Sequence, residues 1–584
     1  NSDSKVKVFD IKGNFIETIE INDISRVKKI EFADGKLVFY RPNDTNLIIY
    51  DIKSKTTQKV PIDNIAGISR YKNNKLLVYK RSSDLMEKYI SVYDFDSNNI
   101  IENYKIDRAI NGFTYSGNDD TIYFFSNGNV YKYKLNGTID PILRSNNDTF
   151  NIILSYEDSC YVIDVKNKLS YKVDKNGIAF DYPGTEKVQM VSDIRTDLNI
   201  ISTIPNFEEQ SEIKKLMEVF YQKYPYVNVR YEYINPTPKG YPDGEYDMEI
   251  RTRLMAQDRS LDIFLFNSNV QEATLLNSNS LADLSQYPSI VENYNDIFDG
   301  IKKLCTYKGK LIGVPSNITI EAWVVNDELL DKLNIECPKE DCTWNYFYEF
   351  AKNVRRDLDN DGYIDTVAFS FKSSTIDPLS AIDLANALYF NRDKGTASYN
   401  CQEFIDFLNV LKKIKDENLL VADEKAYNEK KVNAVFKKFS PSMIDGDTHF
   451  IPMPSISGKL VSPVWVRMLC INDSSKNKDI AAEYLSLYIS KDIRLISNAY
   501  PPSIYKDLSY YENNNYAQNQ SRKIISEKNF RLYEKMINNS ALWVRDSDFS
   551  LYSGKVLTQF GDGEITAEQA ADLINKKAEM VLGE

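Results

Sequence analysis

The chain has 584 residues, 42% of them hydrophobic and 27% charged, a globular composition too long for one ordinary domain. A formal net charge of -12 excludes a non-specific nucleic-acid binder, which needs a cationic face, and no apolar run approaches the ~18 residues of a membrane-spanning helix. The single histidine, His449, argues against a His-rich metal site and a Ser-His-Asp triad.

The start, NSDSKVKVFD, does not read as a signal peptide, so an exported protein would be represented here by its mature part. Up to about Lys187 the chain runs in short β-type segments separated by Asn, Asp and Gly turns. A loose repeat is visible in GKLVFYRPNDTNLIIYDIKSKTTQKVPI, NKLLVYKRSSDLMEKYISVYDFDSNNIIENYKI, DTIYFFSNGNVYKYKLNGTIDPILRS and DSCYVIDVKNKLSYKVDKNGIAFDYP. The segments ISRVKKIEF, IAGISRY, AINGFTY and FNIILSY each add a strand in front of a copy. Four strands every ~40 residues is the period of a propeller blade. The opening VKVFDIKGNFIETIEI supplies two strands more, so residues 1–190 predict a β-propeller-like domain of about five blades, its start truncated or its last blade shared. A twisted sandwich of similar strands is the alternative.

After VSDIRTDLN the rhythm changes. LNIISTIP reads as a strand, and NFEEQSEIKKLMEVFYQKYP spaces Ile213, Leu216, Met217 and Phe220 as one helical face. VNVRYEYI, DMEIRTRLMAQ and LDIFLFN then read as strand, helix and strand. This β-α-β-α-β order predicts an open, largely parallel sheet, in which ligands bind beyond the carboxyl ends of strands; Asn206 and Asn267 stand at two such ends.

Between the helix TWNYFYEFAKNVRR and the strand TVAFSF lies DLDNDGYIDT. Its oxygens fall at positions one, three, five and nine, from Asp357, Asp359, Asp361 and Asp365, with Gly362 at the turn and the Tyr363 carbonyl at seven. Position twelve is Ala368, so the bidentate glutamate of an EF-hand loop is missing, and no second helix follows. A bound structural Ca2+ and a solvated acidic turn are both consistent with this pattern. No catalytic cofactor is implied. Six scattered cysteines fit neither a disulfide framework nor a zinc module; only Cys337 and Cys342, in ECPKEDC, are close enough to bridge, and a plain loop serves equally.

Several stretches stand out together: IPNFEEQSEIKKLMEVFYQKYPYVNVRYEY with LDIFLFN and LADLSQY, then YKGKLIGVPSNITIEAWVVNDELLDKLNIECPKEDCTWNYFYEFAKNV, LCINDSSKNKDIAAEYLSLYIS and GEITAEQAADLINKKAEMVL. They resemble the extracellular solute-binding proteins of bacterial ABC importers, in particular the family-1 sugar-binding branch. They fall in family order from 197 to 584. The resemblance implies a two-lobe α/β fold of the type II periplasmic-binding-protein kind. Lobe 1 is expected over about 197–308 and 472–540, and lobe 2 over about 312–466 and 541–584. Ligand is held in the cleft, which closes by hinge motion to present a form that a membrane permease recognises. Some relatives carry calcium in a loop like DLDNDGYIDT, with the residue after the last Asp as a further ligand; here that residue is Thr366.

Sugar sites combine flat aromatic faces with planar amides and carboxylates. The candidate ligand-binding residues are therefore Asn206, Asn267, Ser316, Asn317, Tyr389, Trp465, Trp543, Phe549 and Tyr552, with Asp445 weaker. Trp323 and Trp344 read as packing residues. The leading expectation is a monomeric, non-catalytic, cell-surface receptor for an oligosaccharide, lipid-anchored in the Gram-positive manner, with an ABC permease as partner and no nucleic acid. An adaptor whose propeller binds a protein is the second reading. A carboxylate-pair glycosidase is the third, and no placed pair of acids supports it.

Overall fold

The structure, a computed structural model, describes residues 5–9, 14–21, 27–41, 45–72, 74–82, 87–117, 120–126, 129–135, 137–145, 152–156, 159–164, 169–173, 179–181, 188–190, 196–234, 245–267, 274–277, 279–320, 322–369, 382–392, 394–419, 432–438, 448–495, 504–507, 526–542 and 546–583. Contacts divide the chain into two compact units, Asn1–Gly240 and Tyr241–Glu584.

The first unit opens with an antiparallel hairpin, β1 (Lys5–Phe9) and β2 (Phe15–Glu20). Four antiparallel meanders follow. The first is β3 (Lys29–Ala33), β4 (Lys36–Tyr40), β5 (Asn46–Asp51) and β6 (Thr56–Pro61). The second is β7 (Ile65–Tyr71), β8 (Lys75–Arg81), β9 (Lys88–Asp94) and β10 (Asn99–Ile106). The third is β11 (Gly112–Ser116), β12 (Thr121–Ser126), β13 (Asn129–Tyr133) and β14 (Ile139–Ser145), and the fourth is β15 (Ile152–Tyr156), β16 (Ser159–Asp164), β17 (Leu169–Val173) and β18 (Ala179–Asp181).

Local chemistry explains the meanders. Asp34 and Gly35 both take positive φ, 51° and 70°, the backbone a two-residue hairpin turn between β3 and β4 requires. Middle strands such as β8, KLLVYKR, and β12, TIYFFS, are buried, whereas the fourth strands β6, TTQKVP, and β10, NIIENYKI, are mostly exposed. The first strand of each meander lies against the next: β3 on β7, β7 on β11, β11 on β15. Among the described residues the sequence repeat therefore corresponds to four four-stranded meanders and one two-stranded hairpin.

The chain then returns. β19 (Val188–Met190) pairs antiparallel with the outer edge of β14, and β20 (Thr196–Ser202) pairs parallel with β21 (Val227–Tyr233) across helix α1 (Ser211–Lys223). Helix α1 buries Ile213, Leu216, Met217 and Phe220, the face its periodicity predicts.

Among the described residues the second unit holds two larger sheets and two short hairpins, Thr306–Tyr307 with Lys310–Leu311 and Phe390–Asn391 with Thr396–Ala397. In one larger sheet, β22 (Ile263–Asn267) and β23 (Val314–Ile320) flank the ten-residue β28 (Ser462–Ile471), both antiparallel to it, and β29 (Ser540–Leu542) runs parallel to its start. The other contains β24 (Ala322–Val325), β25 (Thr366–Phe369), β26 (Asn433–Lys438) and β27 (Phe450–Pro452), in the order β25-β26-β24-β27. A largely parallel sheet was the expectation; in the second unit both larger sheets are mixed, the first because β28 is a long return strand running against β22 and β23, the second because β24 runs against β26 and β27 while β25 and β26 are parallel. Within this unit the chain passes between the sheets at β23–β24 and again at β27–β28.

The second sheet is covered by helices α2 (Trp344–Val354), α3 (Ile382–Tyr389), α4 (Gln402–Asp416), α5 (Ser547–Gly561) and α6 (Ala567–Gly583). Thr343 caps α2, its Oγ1 accepting from Tyr346 N at 3.3 Å. Trp323 and Trp344 meet edge to face and pack with Phe347, Phe369 and Phe436 in the core.

Candidate functional site

β28 is central because it starts at the crossing from β27 and runs through the first sheet of the second unit between β22 and β23. Arg467 on β28 stands opposite Asn267 of β22 on one side and Asn317 of β23 on the other. Directly opposed residues share a sheet face, so the amides and the guanidinium form one polar row. Two residues back, Trp465 stands opposite Thr319, on the same face by the two-residue period. Burial follows this alternation: Asn317, Thr319 and Arg467 are exposed and Trp465 half-buried, while Ile318, Val466 and Met468 are buried. Arg467 makes no ion pair among the described residues, and the Trp465 indole N–H has no hydrogen-bond partner there.

Ser316 belongs to the opposite, interior side. The register shifts between Pro315 and Asn317, turning Ser316 inward. There its hydroxyl oxygen accepts from the Tyr488 hydroxyl at 2.9 Å, and its carbonyl accepts from the buried Arg494 guanidinium at 3.1 Å.

Near β29 a 220 Å³ cavity is lined by Tyr307, Asn386, Phe390, Arg392 and Ser540, among others. Asn386 is 4% exposed; its Oδ1 accepts from the Tyr399 hydroxyl at 2.5 Å, and its amide nitrogen has no partner among the described residues. The Arg392 guanidinium lies 4.4 Å over the Phe390 ring and donates to Asp546 Oδ2 at 3.0 Å. Asp546 in turn caps α5, accepting from Phe549 N at 2.9 Å. A fixed cation, held by Asp546, and an amide thus border the cavity.

Two further aromatic candidates are packing residues in this structure. Tyr389 is 8% exposed among Tyr399 and Phe404, and burial pushes its phenol above the ordinary range. Phe549 is fully buried and stacks on Phe390 with centroids 4.9 Å apart. Tyr552 is on α5 at 36% exposure. Trp543 and Asp445 lie outside the described residues. Asn206 is in the first unit, at φ 52° before a short turn whose Glu208 and Glu209 bind Lys88 at 2.7 Å and Arg81 at 3.1 Å. Its Oδ1 is buried without a partner among the described residues. Arg467, Asn386 and Arg392 were not anticipated, although the W-x-R spacing of SPVWVRMLCI places Trp465 and Arg467 on one face of any strand.

In DLDNDGYIDT, carboxylate oxygens of Asp357, Asp359 and Asp361 lie within 4.8 Å of one another. Gly362 takes φ 88°, and its N–H donates to Asp357 at 2.8 Å. Asp365 accepts from Leu358 N at 2.6 Å. Asp361 accepts from Tyr363 N at 2.9 Å. Thr366 is fully buried and donates its hydroxyl to the Val354 carbonyl at 2.6 Å, so its side chain is already engaged in the core. Three clustered carboxylates and a tight turn fit a hard cation that takes oxygen ligands. Cys337 and Cys342 are free thiols.

Residues 204–494 match the family model of the bacterial extracellular solute-binding protein. Among curated proteins none matches the chain. Among solved structures, the chain is similar to a cyclic α-maltosyl-1,6-maltose binding protein from Arthrobacter globiformis at 15% identity and TM-score 0.48, covering 66% of this chain and 98% of that one. It is similar to maltose-bound MalE3 of T. maritima at 16% identity and TM-score 0.46, covering 66% and 100%. It is also similar to an ABC substrate-binding protein from Listeria monocytogenes in complex with cycloalternan, at 15% identity and TM-score 0.45, covering 67% and 99%. At such identities the bound molecules of those proteins say nothing of what this chain binds.

Proposed function

Proceeding from the solute-binding domain carried by residues 204–494, we propose that the chain is a non-catalytic receptor that captures an oligosaccharide for an ABC importer. The observation that carries the ligand class is the row Asn267–Arg467–Asn317, half-buried at Asn267 and exposed at the other two, with Trp465 beside it. Planar amides and a guanidinium pair with hydroxyls in fixed directions, and an indole face takes the C–H side of a pyranose. The row borders strands that pass from one sheet of the second unit to the other, so ligand bound there bears on a hinge.

On this reading residues 1–190 are a β-propeller-like domain. Support comes from the four meanders, whose first strands follow one another in contact. Residues 197–584 are the receptor domain, with lobes of about 197–308 plus 472–540 and 312–466 plus 541–584. The acidic loop holds a structural Ca2+ through Asp357, Asp359, Asp361, the Tyr363 carbonyl and Asp365. The protein works outside the cell, lipid-anchored, facing a membrane permease. Among the described residues no helix is long and apolar enough to cross a membrane.

The test is a thermal-shift screen of mono- and oligosaccharides, with short peptides alongside, run in calcium and in chelator. A ligand that binds only the folded chain raises Tm once its concentration exceeds Kd. A saturating shift with one glycan class, lost in Arg467→Ala, is the expected result. A shift with peptides alone overturns the ligand class.

A further inference from the structure

The first unit contains a 630 Å³ cavity that the receptor reading does not use. Its walls are the first strands of successive meanders. In register, Lys29 pairs with Tyr40, Gly67 with Tyr79 and Gly112 with Phe125, so one aromatic stands at the equivalent place in three sheets. The glycines make room: a Cβ at Gly112 would lie 2.6 Å from the Phe125 ring, and one at Gly67 3.0 Å from Phe113. Lys29 takes the corresponding place in the first sheet. Its amine reaches the carbonyls of Ile68 at 2.8 Å and Phe113 at 2.9 Å, and Glu31 at 2.9 Å, tying β3, β7 and β11 together. All three of its hydrogens are engaged, so Lys29 is a structural tie.

Two other cations on the same cavity differ. Lys28 and Arg70 are exposed, and neither has an ion pair or side-chain hydrogen bond among the described residues. Beside them the cavity exposes Ile30 by 45% and Phe32 by 57%. These two are alternate residues of β3, the edge strand of its sheet, so they stand about 7 Å apart along an unpaired strand edge. That is the pitch at which an extended peptide presents every second side chain, and peptides commonly bind by adding to a strand edge. In a chain of net charge -12, two cations unpaired among the described residues and lying beside exposed apolar groups mark a local reversal of sign.

We propose that this cavity docks an extended, acidic segment of another protein, its apolar residues at alternate positions against Ile30 and Phe32 and its carboxylates against Lys28 and Arg70. The proposal is independent of what the second unit binds.

The experiment is a phage-displayed heptapeptide selection on the full chain, counter-selected against the Lys28→Glu/Arg70→Glu variant. Both positions are exposed, and equal Tm for the two proteins checks that the fold is unchanged. Enrichment of sequences alternating Asp or Glu with Leu or Phe is expected. A synthetic peptide of the enriched sequence should bind the full chain in fluorescence anisotropy, and more weakly at high salt. It should lose about tenfold or more in affinity to the charge-reversed variant and to Phe32→Ser. Enrichment that is the same on both proteins, or of sequences lacking acidic residues, overturns the proposal. So does displacement of the reversal effect onto phosphatidylglycerol vesicles with no peptide selected, which would assign a membrane surface instead.

Discussion

Arg467 shows what a single side chain decides. It stands between two amides on an exposed sheet face, whereas Phe549, chosen from sequence for its aromatic ring, is sealed in the core. The two should therefore fail differently. Arg467→Ala or Trp465→Ala should weaken oligosaccharide binding by roughly thirtyfold, the loss of one anchoring contact of about 2 kcal/mol, with Tm nearly unchanged. Calorimetric titration alongside thermal unfolding separates the two effects, and an unaltered affinity would remove the row from the site. Phe549→Ala should instead cost about 3–5 kcal/mol of stability in urea unfolding, because it leaves a cavity beside Phe390. The thiols give a second residue-scale prediction. Burial pushes the Cys305 thiol up to about 12 and the Cys470 thiol well above its ordinary value. Neither should be alkylated by iodoacetamide at pH 8 in the native state, since the thiolate is the nucleophile and both groups are fully buried. Rapid labelling of either, read by mass spectrometry, would contradict that environment.

At the scale of elements, the first unit is held by charges that its strands bring to the helical segment. Lys88, at the start of β9, and Glu208 pair at 2.7 Å with side-chain exposures of 6% and 5%. Removing one partner strands the other as a buried charge, so Lys88→Met should destabilise the unit by about 3–5 kcal/mol. The double variant Lys88→Met/Glu208→Leu should recover most of that loss, which chemical unfolding of the single and double variants would show. The pair also holds the turn that follows Asn206, so hydrogen exchange over 203–210 should quicken in Lys88→Met. A glycine sets another contact between elements. A Cβ on Gly300, in the helix Asp299–Leu304, would lie 2.2 Å from the Ile537 carbonyl of the helix Glu527–Asn538. Backbone cannot yield as a side-chain tip does, so Gly300→Val should cost at least the ~1–3 kcal/mol of overpacking.

At the scale of the whole molecule, calcium and glycan should act separately. If the acidic loop binds Ca2+ as proposed, chelator should lower Tm, and Asp359→Asn/Asp361→Asn should abolish that sensitivity while leaving glycan affinity within about twofold. A glycan affinity that collapses with chelator would place the ion in the cleft instead. The loop's backbone geometry was legible in the sequence, because Asp, Asn and Gly at fixed offsets dictate Asx-type turns through their own side chains. The Thr366 side chain was not, since its burial depends on where β25 packs against α2.

What the sequence by itself determined is what local physics determines. Alternation and turn residues specify the meanders, and the spacing of Ile213, Leu216, Met217 and Phe220 specifies the buried face of α1. The order of weak family signatures agrees with the match of residues 204–494 to the solute-binding family model. What only the tertiary structure decided is register across long separations. Asn267, Asn317 and Arg467 become neighbours only through strand pairing, and Lys88 meets Glu208 across 120 residues. Which aromatic faces solvent is likewise a matter of packing: Tyr389 and Trp465 look alike as candidates, yet Tyr399 and Phe404 bury Tyr389 at the end of α3, whereas β28 leaves Trp465 half-open. Side-chain identity sets what a residue can do, and only the pairing of distant segments sets what it meets.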